Sequence, residues 1–302
     1  MSSALRHFRV DSPCELLPYL LDLSLGLSRK QTKDLLRFHA VRVRNRVTIR
    51  HDTLLQAGDL VTIALRKRPD DNTAVTRHDL RIVYLDDAIV VIDKPAGLLS
   101  MGSAREKDKT AYRLLNEHLK ALTNSSLQQV FIVHRLDRET SGLMIFARSE
   151  VVQAALQQNW KQASKKYLAV VQGVPGSPRG TLRDNLIEGK SLLVHRVVQG
   201  GELAITHYRV IRHYADKALL ELTLETGRKH QIRVQLAILG HPIMGDRKYG
   251  PRTASARRLA LHAFDLRFPH PVSAAPMQFQ SPLPAQINDL LKPRARAGFD
   301  HA

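Results

Sequence analysis

Cysteine is nearly absent: Cys14 stands alone in 302 residues. That excludes an intramolecular disulfide and any zinc site built from several thiolates, and a lone thiol beside Pro13 reads as a small inert hydrophobe rather than a nucleophile. Long apolar runs are missing as well. The richest stretch, "LLPYLLDLSLGL", is shorter than a membrane span and carries Pro18 and Asp22, and "MSSALRHFRV" lacks the apolar core of a secretory signal. The expectation is a soluble, cytoplasmic protein. Acidic residues are scarce, with 28 Asp plus Glu against 46 Lys plus Arg and a formal net charge of +18. Such a field favours a polyanion through counterion release, so nucleic acid and an anionic membrane surface are the candidate partners.

Several common chemistries lack their residues. "EGKS" at 188–191 has Asp184 where a phosphate-binding loop opens with Gly, so the cradle of backbone amides is not specified. None of the 14 histidines forms H-E-x-x-H or pairs with cysteines at ligand spacing, and no G-x-S-x-G marks a serine nucleophile. A glycosidase needs two carboxylates across a bond, and Asp137 with Glu139 in one tight turn rarely straddle a sugar. There is no internal repeat and no low-complexity tract.

What is present fills about two domains, and 43% hydrophobic content supplies at least one sizeable core. "SRKQTKDLLRF" (28–38) predicts a helix opened by a Ser28 and Gln31 capping box, with Arg29, Lys33 and Arg37 on one face and Leu35 and Leu36 turned to a core. "VRVRNRVTIR" alternates Val41, Val43, Val47 and Ile49 with Arg42, Arg44, Arg46 and Arg50, a strand pattern with a turn at Asn45. Gly58-Asp59 predicts a turn before a further strand, and polar residues 67–79 predict a linker. This small basic domain, residues 13–66, resembles the S4 RNA-binding module through Ser28, Arg29, Val41, Val43 and Ala57-Gly58-Asp59. The resemblance implies RNA contacts from Arg29, Lys30, Lys33, Arg37, Arg42, Arg44 and Arg46.

From residue 80 to 295 strands outnumber helices and do not alternate as βαβ units, which predicts an α+β domain with a large, mostly antiparallel mixed sheet. Helices are expected at "TAYRLLNEHLKAL", "EVVQAALQQNW" and "HQIRVQLAILG". Between two predicted strands lies "HRLDRETSG" (134–142), where Asp137 sits between Arg135 and Arg138. A carboxylate meant to react must stay ionised, and a nearby guanidinium keeps it so. Candidate companions are "KKY" (165–167) and "TGRKHQIR" (226–233), and Gly142 and Gly227 are expected to bring backbone close at turns.

"HRLDRETSGLMIFA" resembles the catalytic motif of the RluA-type pseudouridine synthases. The likeness continues through "VVIDKPAGLL" (90–99), "KKYLAVVQG" (165–173), "LETGRKHQIRVQLAILGHPIMGDRKYG" (224–250) and "LALHAFDLRFPHP" (259–271), in the family's order. It implies a catalytic Asp137, Arg228 as its ion-pair partner, Tyr167 packing beside the target base, and Arg138 contacting RNA or filling the gap of a flipped uridine. Arg135, His134 and Lys165 complete the implied substrate site. The reaction it implies cleaves the C1′–N1 bond of uridine, rotates the base and joins C5 to C1′, so no cofactor and no metal are expected. The implied partner is RNA, ribosomal or transfer, with no membrane, and the implied enzyme is a monomer. The rival reading from another class is an inactive RNA-binding or ribosome-assembly factor; a nucleoside hydrolase, which would release free uracil, is a weaker one.

Overall fold

A computed structural model describes residues 4–23, 25, 29–37, 41–44, 46–48, 50–65, 80–102, 106, 109–123, 129–251 and 256–292. The expected cap at Ser28, the turn at Asn45 and the linker 67–79 lie outside these residues. The chain divides into two compact units, one of residues 1–77 with 84–86, the other of 78–83 with 87–302.

In the first unit β1 (Ala4–Arg9), β6 (Leu60–Leu65), β3 (Val41–Val43) and β4 (Arg46–Val47) form an antiparallel sheet in that order. Two short strands, β2 (Cys14–Glu15) and β5 (Leu54–Leu55), pair separately. The helices are α1 (Leu16–Asp22), which holds Pro18 in its first turn where no helical N–H is lost, and α2 (Arg29–Arg37). Leu16 and Leu20 of α1 join Leu36, Val41, Val43, Val61 and Ile63 in the core, with Cys14 packed against it. Alternation places Val41 and Val43 inside and Arg42 outside, as the sequence predicts. Strand β1 was not foreseen, and it starts the unit before residue 13. Its "ALRHFR" shows weak alternation as an edge strand paired with β6 alone, and of Arg6–Arg9 only Phe8 is half-buried.

The second unit is α+β. Its eleven-stranded sheet runs β13 (Val194–Val197), β12 (Arg179–Glu188), β14 (Glu202–His213), β15 (Lys217–Leu224), β11 (Ser164–Gln172), β16 (Leu261–Pro269), β10 (Ser141–Ala147), β8 (Ile89–Lys94), β7 (Arg81–Leu85). Two more strands, β17 (Pro276–Gln280) and β9 (Phe131–Ile132), pair with β16 and β10. From β13 to β16 neighbours are antiparallel, and β10 is antiparallel to β8 but parallel to β16. The helices are α3 (Ala111–Thr123), α4 (Glu150–Gln158), capped by the Ser149 hydroxyl accepting from Val152 N, α5 (Gln231–Ile238) and the single-turn α6 (Ala285–Asn288), which a 3-10 turn (Asp289–Leu291) continues.

At the parallel pairing Gly142 faces Ala263 with φ +119°, and a Cβ there would lie 2.2 Å from the Ala263 carbonyl oxygen. Only glycine tolerates both conditions, so the last residue of "HRLDRETSG" sets how closely β10 and β16 approach. Gly227 does not behave as expected: its φ is ordinary and nothing lies within 4 Å of a Cβ built on it.

Candidate active site

Asp137 lies in the loop between β9 and β10, and the "DKPAGLLS" segment (93–100) pins that loop. The fully buried Lys94 ammonium donates to the carbonyls of Pro95, Leu98 and Arg138 at 2.9, 2.7 and 3.2 Å. Burial lowers the pKa of that ammonium, and Glu139 and Asp137 act in the opposite direction. Ser100 Oγ donates to Leu136 O (2.7 Å) and accepts from Leu136 N (3.0 Å), while the Asp137 carbonyl accepts from Thr140 N (3.1 Å). The backbone on both sides of the carboxylate is therefore fixed before any substrate arrives.

Asp137 opens onto a pocket lined also by Arg135, Tyr167, Leu261, Arg228, His230 and Arg233. Tyr167 on β11 and Leu261 on β16 give it an apolar wall on which a planar base can pack. Burial, with the charge of Asp137, raises the Tyr167 pKa above the usual phenol value, so the ring stays neutral.

The guanidinium that meets Asp137 belongs to Arg233, whose Nη1 donates to Asp137 Oδ2 at 3.3 Å. Arg228 does not fill the role expected of it. It sits on the exposed loop before α5, donating to Glu202 Oε1 (2.6 Å) and to the Leu203 carbonyl (3.1 Å). Arg233 is buried, and its other edge grips Asp246 through Nε (2.8 Å) and Nη2 (2.7 Å). The signal in the sequence is that "QIRVQLAI" carries no charge but Arg233; in a helix buried over Gln231–Leu236 that lone cation needs an anion.

His230, part of the candidate run "TGRKHQIR" but given no role of its own there, caps α5 in the left-handed conformation at φ 53°. Its Nδ1 meets the Tyr249 hydroxyl at 2.7 Å and its Nε2 lies 3.9 Å from Asp137 Oδ2. Burial pulls its pKa down to about 4 against the raising effect of Asp137, so the imidazole is neutral at pH 7.

Three expected site residues lie outside the pocket lining. Arg138 donates through Nε to Gly97 O (3.0 Å), serving the loop itself. His134 stacks on Trp160 with centroids 4.5 Å apart and accepts from Ile145 N (3.2 Å), and burial followed by the Lys165 charge lowers its pKa to about 3. Lys165 is buried and donates to the Trp160 carbonyl at 2.9 Å. The family likeness implied these roles, but Arg138 and His134 lie outside β9 and β10 and serve the loop and its flank, and between Lys166 and Tyr167 the pairing of β11 with β16 shifts register, which parts Lys165 from the pocket.

In the first unit Arg29, Lys33 and Arg42 are exposed. Arg44, with φ 51°, instead grips Asp59 through Nε (2.6 Å) and Nη2 (2.7 Å), which holds the Asp59 carboxyl down at about 2. Its guanidinium is committed to the Gly58-Asp59 turn. The side chains of Lys30, Arg37 and Arg46 lie outside the described residues.

A family model described as RNA pseudouridylate synthase matches residues 88–238. The chain is 33% identical over 289 residues to ribosomal large subunit pseudouridine synthase D of Vibrio cholerae, covering 89% of this chain and 87% of that one. It is 31% identical over 278 residues to an uncharacterized RNA pseudouridine synthase of Bacillus subtilis, covering 90% and 91%. Among solved structures it resembles human RNA pseudouridylate synthase domain containing 4, with a TM-score of 0.60 and 27% identity over 70% of this chain and 91% of that chain. A single half-buried carboxylate held against a buried guanidinium, beside a neutral tyrosine, agrees with those likenesses, and the chain belongs to the RNA pseudouridine synthase family.

Proposed function

We propose that this RNA pseudouridine synthase isomerises specific uridines of structured ribosomal RNA, with Asp137 as the reacting carboxylate. The observation that carries the reading is the Arg233 Nη1 to Asp137 Oδ2 contact at the mouth of a pocket walled by Tyr167 and Leu261. The target uridine must leave its stack, at a cost on the order of a few kcal/mol that phosphate contacts offset. Within the pocket the base packs against Tyr167. Asp137 either attacks C1′ or removes a proton from the sugar, and each route needs an anionic oxygen. N1–C1′ breaks, C5–C1′ forms, C5 gives up its proton and N1 acquires one, so atoms and electrons balance without a cofactor.

The name of the Vibrio cholerae relative supports ribosomal RNA as the target class. For the N-terminal unit we assign a supporting role in RNA binding, through the exposed Arg29, Lys33 and Arg42. On the same reading the enzyme works as a cytoplasmic monomer, which cell fractionation and light scattering check. Among the described residues no helix is long and apolar enough to cross a membrane. The decisive experiment compares pseudouridine maps of total RNA from cells with and without the gene. Loss of one or a few ribosomal sites is expected, and an unchanged ribosomal map overturns the target.

A further inference from the structure

Arg233 faces two carboxylates and treats them unequally. Asp246 accepts from Arg233 Nε at 2.8 Å and Nη2 at 2.7 Å, within the range of strong charge-assisted bonds, and also accepts from the amides of Lys248 (2.9 Å) and Tyr249 (3.2 Å). Asp137 receives one N–H, from Nη1, at 3.3 Å. The side chain of Asp246 is 1% exposed and that of Asp137 21%. The bidentate edge of the guanidinium is thus spent on a carboxylate that no substrate reaches.

We infer that Asp246 is a positioning residue for the isomerisation: it holds the fork of Arg233 so that Asp137 keeps the cation nearby without being gripped by it. A carboxylate held in a fork by two short bonds is ionised but poorly reactive, because both bonds must loosen as its oxygen engages the sugar. A single long contact keeps the charge and leaves the oxygens available. With Asp246 fixed by two loop amides, the guanidinium also stays in place while Asp137 reacts. The inference rests on Asp137 being the reacting carboxylate.

The test uses the full chain and unmodified ribosomal RNA transcribed in vitro with tritium at C5 of uridine, since isomerisation releases that hydrogen. In Asp246→Asn the neutral amide cannot hold both N–H groups, and the guanidinium is free to turn its fork onto Asp137. Single-turnover tritium release is expected to fall about 10- to 100-fold with RNA affinity within about twofold of the parent. Combining Asp246→Asn with Arg233→Lys should cost little more than Arg233→Lys alone, because the first residue acts through the second. A purely structural Asp246 would lower the thermal midpoint, leave the rate per folded molecule unchanged and multiply with Arg233→Lys, and that result overturns the inference. Should Asp246→Asn not fold, Asp246→Glu decides in its place: the longer acid keeps the charge but shifts the fork, the same slowing is expected, and a parental rate overturns the inference. Asp137→Asn run in parallel separates the two readings. If it stays active the catalytic assignment falls, whereas a dead Asp137→Asn beside a fully active Asp246→Asn removes only the role given to Asp246.

Discussion

The two units use charge in opposite ways. In the N-terminal unit the cations face water: Arg29, Lys33 and Arg42 are exposed, and Arg44 and Arg50 sit in surface pairs with Asp59 and Asp52. Around the pocket the charges are few and sheltered, with Arg233 and Asp246 only 6% and 1% exposed at their side chains. Surface charge acts by summation, so each residue contributes a little and none is indispensable. Buried charge acts by geometry, so removing one partner strands another.

The largest test of that contrast is Asp137→Asn. The amide keeps the shape and a hydrogen bond to Arg233 but cannot supply an anionic oxygen, so isomerisation should fall by about 10⁴-fold or more while RNA binding persists. Single-turnover tritium release beside a binding titration on the same preparation measures both. A near-parental rate would remove Asp137 from the chemistry.

Next come the two arginines of "TGRKHQIR". Arg233→Lys should lower the single-turnover rate about 10- to 100-fold, because an ammonium cannot grip Asp246 and reach Asp137 together. Arg228→Ala, which breaks an exposed pair with Glu202, should lower kcat/KM by no more than about fivefold. If the two effects came out reversed, the assignment of the partner of Asp137 would be wrong.

A smaller effect is expected from the distributed surface. The triple variant Arg29→Ala, Lys33→Ala, Arg42→Ala should weaken RNA binding and reduce the slope of log K against log salt by up to about two, while the single-turnover rate at saturating RNA holds. An unchanged salt slope would remove this face from the RNA contacts.

The smallest prediction concerns acid. His134 has a folded pKa of about 3 against an unfolded 6.5, so the unfolded chain takes up a proton first as pH falls. Its contribution to stability is fully present above pH 6.5 and is lost progressively toward about 3. Between pH 6.5 and 5, where most carboxylates stay ionised, the parent should lose on the order of 1 kcal/mol that His134→Gln does not lose. Urea denaturation at the two pH values reads the difference, and equal slopes would contradict it.

Much of this was legible in the sequence where one physical cause dominates. Val41 and Val43 alternate with Arg42 because that strand has one wet face, and the apolar "SGLMIFA" becomes a strand buried at all seven positions. Asp137 and Tyr167 were recognised through the family likeness and do meet in one pocket. Pairing was less legible. Two arginines five residues apart both suit a carboxylate, and only the start of α5 at Gln231 separates the loop residue Arg228 from the helical Arg233. Asp246 and Lys94 gave no local signal, since their importance lies in partners 13 and up to 44 residues away. Arg44 alternated correctly yet was claimed by Asp59, a competition that periodicity does not register.

The parallel seam at Gly142 has a consequence for how the enzyme comes into being. Ser141 and His262, bonded across it, are 121 residues apart in sequence, and the strands on either side otherwise pair antiparallel with their neighbours. Asp137 enters from the β10 side, while Tyr167 and Leu261 stand on strands of the β16 side. Closing so long a loop is slow, and each half can gather its own hairpins beforehand. Activity should therefore return after refolding later than strand content does, with the rate of seam closure setting the delay.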